Sequence, residues 1–189
     1  MGSRELDAIA SCQDGDLAKF DVLYSAYIDR IFGFIYRRTL TRQTAEDLTS
    51  TVFLKAIEKI GSYNMKKASF STWLFTIARN TITDHYRTHR ETKDIDSVWD
   101  LAADDDQFKS ADTSVDIAKI REALESLDSL KREIVMLKVW EGLSYQEIAD
   151  IVGKSEGNCK VIFCRTIDGL RKEFGPATLA LILLFPILK

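Results

Sequence analysis

Polar and cationic side chains recur at helical spacing near residue 80, where they could bind a nucleic-acid backbone. They are Arg79, Thr83, Arg87 and Arg90, which share one side of a helix. The preceding segment holds Tyr63, Lys66 and Lys67. An aromatic ring beside cations can stack an unpaired base and neutralise phosphates, so single-stranded nucleic acid is a candidate ligand. The alternative is a solvated helix surface, the usual place of charged side chains.

A second pattern, between residues 142 and 171, predicts a helix-turn-helix. Ser144-Tyr-Gln-Glu147 forms a capping box that opens a short helix, Gly153 breaks that helix, and Ser155 can cap the next one. In such a unit the start of the second helix enters the DNA major groove, where Lys160 and Arg165 could contact phosphate or guanine. The alternative is a helical hairpin that only packs. Five basic against two acidic residues over 154–172 favour DNA.

Catalytic and metal-binding patterns are weak in this sequence. His85 and His89 could share a helix face, but no Glu follows His85 in an H-E-x-x-H pattern and no third ligand is evident. There is also no glycine-rich phosphate loop and no G-x-S-x-G. We therefore expect no enzyme, no cofactor, no metal and no small-molecule substrate. Cys12, Cys159 and Cys164 form no C-x-x-C pair and the first residues lack a signal peptide, so we expect a cytoplasmic protein.

The charge of the 189-residue chain is unevenly distributed. Its formal net charge is −3, but residues 91–116 hold nine acidic and two basic side chains. The remainder therefore carries a net charge of +4, so the overall balance does not argue against a polyanionic ligand. We expect residues 91–114 to be a flexible acidic linker that nucleic-acid phosphates repel.

Apolar spacing predicts an all-α fold of two small helical domains on either side of this linker. In residues 1–90 we expect three helices. The second helix opens at a Thr44–Asp47 capping box and ends at Gly61. The third starts at Phe70, after a loop over 62–69, and buries Trp73, Leu74, Ile77 and Thr81. The inner face of the first helix comprises Leu17, Phe20, Tyr24, Tyr27, Ile31 and Phe34.

In residues 115–175 we expect one helix through Leu130, a second that ends near Gly142, and then the helix-turn-helix. Residues 176–189 form an apolar tail. Its twelve uncharged residues, 177–188, would span only ~18 Å as a helix, which is too short for a bilayer core of ~30 Å. We expect the tail to pack on its own domain or on a partner, and we do not expect membrane contact through it.

Five stretches, in order, resemble the extracytoplasmic-function (ECF) sigma factors of the sigma-70 family. They are Phe20–Tyr27, Ala45–Leu54, Phe70–Asn80, Gly142–Ala149 and the helix through Arg171. The resemblance implies a subunit that binds core RNA polymerase and promoter DNA. It also implies that the first domain recognises the melted −10 element and the second recognises the −35 element as duplex. An anti-sigma factor, which holds many relatives inactive, is a further partner that the resemblance allows.

The resemblance assigns candidate residues to each surface. For polymerase binding these are Asp47, Leu48, Thr51 and Phe53. For the −10 element they are Tyr63, Asn64, Lys66, Lys67, Arg79, Asn80, Thr83, Arg87 and Arg90. For the −35 element they are Ser155, Asn158, Lys160, Val161, Cys164 and Arg165. In the last helix Val161 and Ile162 replace polar or basic residues of the family, so phosphate anchoring should be weaker there and the −35 sequence does not follow from the resemblance.

Two other functions compete with this interpretation. A stand-alone helix-turn-helix regulator would use the first domain as a sensor or dimerisation domain. A sigma mimic would only titrate a partner. A sensor needs a ligand pocket, whereas the first domain offers exposed arginines, a polar loop and Asp47 near a helix start.

Overall fold

The structure is a computed structural model that describes residues 3–39, 41–90, 122–124 and 126–184. These residues belong to two compact units, one within 1–105 and the other within 106–189. The expected acidic linker, 91–114, lies outside the described residues, as does the expected helical stretch 117–121.

The described part of the first unit is a bundle of four α-helices. They are α1 (Ser3–Gln13), α2 (Phe20–Thr39), α3 (Arg42–Lys59) and α4 (Phe70–Arg90). Short 3-10 helices, Leu17–Lys19 and Ile60–Ser62, precede α2 and follow α3. Helix α2 packs against α1, α3 and α4, and α1 also contacts the 60–62 turn. Fully buried Phe34 and Phe75 meet edge to face at 5.3 Å between ring centroids in the core.

Helix α1 is an element that the apolar pattern did not predict, because it buries only Ala8, Ile9 and Cys12. The expected inner face of α2 is wrong at two positions. Leu17 precedes the helix in a 3-10 turn, and both Leu17 and Tyr24 are exposed, whereas Leu23 and Ile35 are buried.

The expected capping box at Thr44 is also wrong, because α3 begins earlier, at Arg42. Thr41 is its extended N-cap residue, and Thr44 and Asp47 lie inside the helix. Arg42 Nε donates to Glu46 Oε1 at 2.8 Å, an i,i+4 pair that stabilises this added first turn.

The second unit contains α5 (Ser129–Val139), α6 (Tyr145–Val152) and α7 (Glu156–Leu184). The expected single helix through Leu130 is wrong, because residues 126–128 form a turn and Leu130 belongs to α5. Asp128 caps α5 by accepting the Lys131 backbone N–H at 2.9 Å. Hydrogen bonds from the Lys131 side chain and backbone also lower the pKa of Asp128.

Local capping fixes the helix-turn-helix of α6 and α7 as the sequence predicts. Ser144 Oγ accepts the Glu147 N–H at 3.2 Å, and Glu147 accepts the Ser144 N–H at 2.9 Å, completing the capping box. Gly153 then turns the chain with a left-handed φ of 71°. Ser155 Oγ accepts the Asn158 N–H at 3.3 Å and opens α7.

We expect Gly153→Ala to destabilise the second unit by ~1–2 kcal/mol, since a Cβ makes left-handed φ costly. A Cβ at Gly153 meets nothing within 4 Å, so the cost lies in the backbone alone. Gly157→Ala is the matched control: it too meets nothing, but it lies in regular helix and should stabilise by roughly 0.5–1 kcal/mol. Urea denaturation of the full chain measures the free energy of unfolding of both variants. Equal changes in this free energy would contradict the left-handed turn at Gly153.

Helix α7 continues into the apolar tail. Gly175 (φ 81°, ψ 168°) and Pro176 interrupt the helix where the tail begins, and a further helical stretch reaches Leu184. Leu179 is buried, so this side chain of the tail packs against the protein. Among the described residues, no helix is both long and apolar enough to cross a membrane.

Candidate nucleic-acid interface

The loop between the 60–62 turn and α4 is anchored through Tyr63. The Tyr63 ring packs on Phe70 and Trp73, with centroids 5.5 and 5.2 Å away, and its hydroxyl donates to the Ala68 carbonyl at 3.0 Å. Only 5% of Tyr63 is exposed, and burial raises the pKa of its phenol. The expectation that Tyr63 offers a base-stacking surface is therefore wrong, because its ring is a packing anchor for the loop.

Residues 64–67 form the exposed tip of this loop. Asn64 shapes the tip: its side-chain oxygen accepts the Lys66 N–H at 2.9 Å and its carbonyl accepts the Lys67 N–H at 3.0 Å. Lys66 and Lys67 are thereby presented to solvent. Met65, which sequence analysis missed, is 51% exposed and is the apolar side chain available here for contact with a base. The sequence signal that could have identified Met65 is an apolar side chain within an otherwise polar loop.

The predicted DNA-binding residues of α4, which we call the α4 stripe, differ in their exposure to solvent. Asn80, Thr83 and Arg87 are exposed, whereas Arg79 is half-buried and has a partner. Thr83 Oγ1 donates to the Arg79 carbonyl at 2.9 Å, and Arg87 lies 3.3 Å from Asp84. Asn80 is therefore an exposed amide beside the half-buried Arg79. Arg90 ends α4, and its side chain lies outside the described part of the chain, as does that of His89.

A cavity of about 330 Å³ opens between α3 and α4 beside Asn80. Its lining residues are Lys55, Lys59, Ile77, Asn80, Thr81, Thr83 and Asp84. Lys55 Nζ donates to Thr81 Oγ1 at 3.1 Å and lies 4.0 Å from Asp84 Oδ2, so its ammonium group is held at the wall. The cavity lining therefore combines two ammonium groups and an amide with the Asp84 carboxylate. Lys55 and Lys59 were missed because they lie on α3, away from the α4 stripe.

The outer face of α3 differs from the predicted polymerase-binding set. Asp47 is exposed and Thr51 is half-buried, but Leu48 and Phe53 are buried, and Phe53 packs against Tyr24 at 4.8 Å. A surface role for Leu48 and Phe53 is therefore wrong, because α3 is covered by both α2 and α4 and buries a wide arc. Leu54, which is 62% exposed, is the apolar residue on the outer face.

The first half of α7 forms the outer face of the helix-turn-helix. All six predicted residues are exposed: Ser155, Asn158, Lys160, Val161, Cys164 and Arg165. The opposite side buries Cys159, Thr166 and Leu170. Phe163 meets Tyr145 of α6 at 5.9 Å between centroids, which fixes α7 against α6. The structure thus brings together every residue of this predicted set.

Within the described ranges, no group of three or more His, Cys, Asp or Glu side chains is placed to hold a metal ion. Both units expose cationic and amide side chains on helices that are well capped or well packed.

Comparison with known proteins agrees with this arrangement. The family model described as Sigma-70 region 2 matches residues 23–92, and the one described as Sigma-70, region 4 matches residues 117–166. The ECF RNA polymerase sigma factor BldN of Streptomyces coelicolor is 32% identical over 173 residues, which are 90% of this chain and 66% of BldN. The RNA polymerase sigma-H factor of Pseudomonas aeruginosa is 30% identical over 87% of this chain and 90% of its own length.

A solved structure gives the same result. The sigma factor RpoE of Bartonella quintana, determined in complex with the anti-sigma factor NepR, superposes with a TM-score of 0.65 and 28% identity. The match covers 81% of this chain and 94% of RpoE. The chain thus has both family regions in the expected order, relatives that it matches over most of their length, and a shared fold. It therefore belongs to the sigma-70 family, among the ECF RNA polymerase sigma factors.

Proposed function

We propose that this sigma factor binds core RNA polymerase in the cytoplasm and directs it to promoters, without catalysis of its own. The single observation that carries the proposal is the outward face of α7, where all six predicted DNA-facing residues are exposed on a capped helix-turn-helix. Such a helix start can enter the major groove of duplex DNA. The proposed target of this face is the −35 element.

The first unit has the proposed role of capturing the melted −10 element. Lys66 and Lys67 on the loop and Lys55 and Lys59 at the cavity would neutralise the strand backbone. Asn80 would hydrogen-bond an extruded base, and Met65 would contact its face. Extruding a base costs a few kcal/mol of stacking and pairing, so a site that holds the base favours melting.

The proposed polymerase-binding surface is the exposed face of α3. It comprises Asp47, Thr51 and Leu54 in place of the buried Leu48 and Phe53. Leu54 lies about two turns from Asp47 on the same side of α3, and a face with both an apolar and a charged side chain suits a protein interface, in which apolar contact supplies affinity and charge sets register. An anti-sigma factor is a further proposed partner, since the related RpoE was solved with one.

Run-off transcription with purified chain, core polymerase and fragmented genomic templates tests the proposal. We expect defined transcripts that require both proteins, and their start sites would reveal the promoter. DNA binding without core polymerase and no transcripts would favour a stand-alone regulator. Core binding without promoter-specific transcripts would favour a sigma mimic.

A further inference from the structure

Val161, which lies on the side of α7 opposite its buried residues, is apolar. The buried residues Cys159, Thr166 and Leu170 define the inner side of the helix. At about 100° per residue, Val161 lies roughly 140–180° around the axis from each of them. Val161 is 46% exposed, although a surface position at a polar interface would ordinarily carry a polar side chain.

The surroundings of Val161 divide into a neutral column and a cationic border. One turn before it is Gly157, where even a Cβ would meet nothing within 4 Å, and one turn after it is exposed Cys164. Lys160 lies roughly 100° to one side and Arg165 roughly 40° to the other. A helix in the major groove turns its centre line to the base edges and its flanks to the phosphates, which matches this division.

A carboxylate limits the length of the column. Asp168 is exposed two turns beyond Val161 on nearly the same line. Its charge would repel phosphates, so the DNA-facing part of α7 is its first three turns, 156–165, with Val161 near the centre. Among base edges in the major groove, the 5-methyl group of thymine is the apolar feature that a valine can contact.

We propose that Val161 is a specificity-determining residue that reads the 5-methyl group of one thymine in the −35 duplex. The inference rests on the proposed function, which supplies the duplex, and adds the chemistry of one base contact. Lys160 and Arg165 anchor the flanking strands, while the missing side chain of Gly157 lets the helix approach the groove floor.

Thymine-to-deoxyuridine substitution tests this inference, because it removes only the methyl group. The probe is the duplex that holoenzyme of the full chain enriches from a library randomised across the upstream promoter element. Each thymine on either strand is then replaced singly, and holoenzyme affinity is measured at fixed salt. We expect one replacement to weaken wild-type binding about fourfold, the factor that corresponds to burial of one methyl group.

The Val161→Ala holoenzyme should bind the thymine probe about fourfold more weakly than wild type and should not distinguish thymine from deoxyuridine at that position. Arg165→Ala is the matched control. It should bind both probes more weakly and keep the wild-type preference for the methyl group, because its guanidinium contacts a phosphate and not the methyl group.

Three outcomes overturn the inference while leaving the proposed function standing: no single replacement alters wild-type binding, the sensitive position stays sensitive in Val161→Ala, or the enriched element contains no thymine. A holoenzyme that enriches no sequence and starts no promoter-specific transcript would overturn the proposed function and this inference together.

Discussion

The Asp47→Arg variant should lose at least about 30-fold in affinity for core polymerase, because it reverses the charge of the carboxylate in the proposed docking face. Removing one member of an interfacial charge pair costs ~2–5 kcal/mol, and reversal adds repulsion to that loss. Asp47 is exposed and forms no ion pair within the described part of the chain, so its charge is available to a partner.

The fold should survive this substitution, since exposed positions outside special sites change stability by about ±0.5 kcal/mol. Asp29→Arg is the matched control: it reverses an exposed aspartate on α2, outside the α3 face. Native-gel or fluorescence titration with core enzyme measures affinity, and thermal unfolding of the variant alone measures the fold. Wild-type affinity in Asp47→Arg, or an equal loss in Asp29→Arg, would refute the assignment of the docking face.

Elements that depend on neighbours in sequence were predictable. The turn between α6 and α7 is set within twelve residues by Ser144, Glu147, Gly153 and Ser155, and each makes the local contact expected of its type. The inner face of α4 was predictable for the same reason, since Phe70, Leu74 and Thr81 recur at helical spacing and are buried.

Features that depend on tertiary contacts were not predictable. Tyr63 is turned inward by packing on Phe70 and Trp73, and Gln13 of α1 holds its carbonyl with a 2.7 Å hydrogen bond. The spacing of residues near Tyr63 predicts neither its ring contacts nor its hydrogen bond to Gln13. The sequence of α1 also has too few apolar residues to predict a helix. Phe53 is buried for a similar reason, since both α2 and α4 cover α3.

These corrections change which side chains are available to contact a DNA strand at the candidate site. With Tyr63 inside, the base contacts available at the loop fall to Met65 and to the amide of Asn80. In the proposed −10 site, Lys55 and Lys59 beside Asn80 would neutralise the strand from α3 as well as from α4. The proposed site would therefore depend more on Asn80 than the sequence pattern alone suggested.

The Asn80→Ala variant should impair promoter melting much more than promoter binding. An amide that holds a base is worth ~1–3 kcal/mol, so we expect open-complex formation to slow by about 5- to 150-fold while closed-complex affinity changes little. Closed binding depends on the −35 duplex and on phosphate contacts that the substitution leaves intact. Permanganate reactivity of unpaired thymines follows melting, and binding at low temperature measures the closed complex.

Thr88→Ala is the matched control, about two turns along α4 and outside the cavity lining, because Thr88 is exposed and its hydroxyl donates to the Asp84 carbonyl at 3.0 Å. It should melt promoters at close to the wild-type rate. A template already unpaired across the −10 element should restore most of the Asn80→Ala rate, since the base no longer has to be pulled from the duplex. Equal losses in closed binding and melting, with no recovery on the unpaired template, would mean that Asn80 supports the fold and does not hold the base.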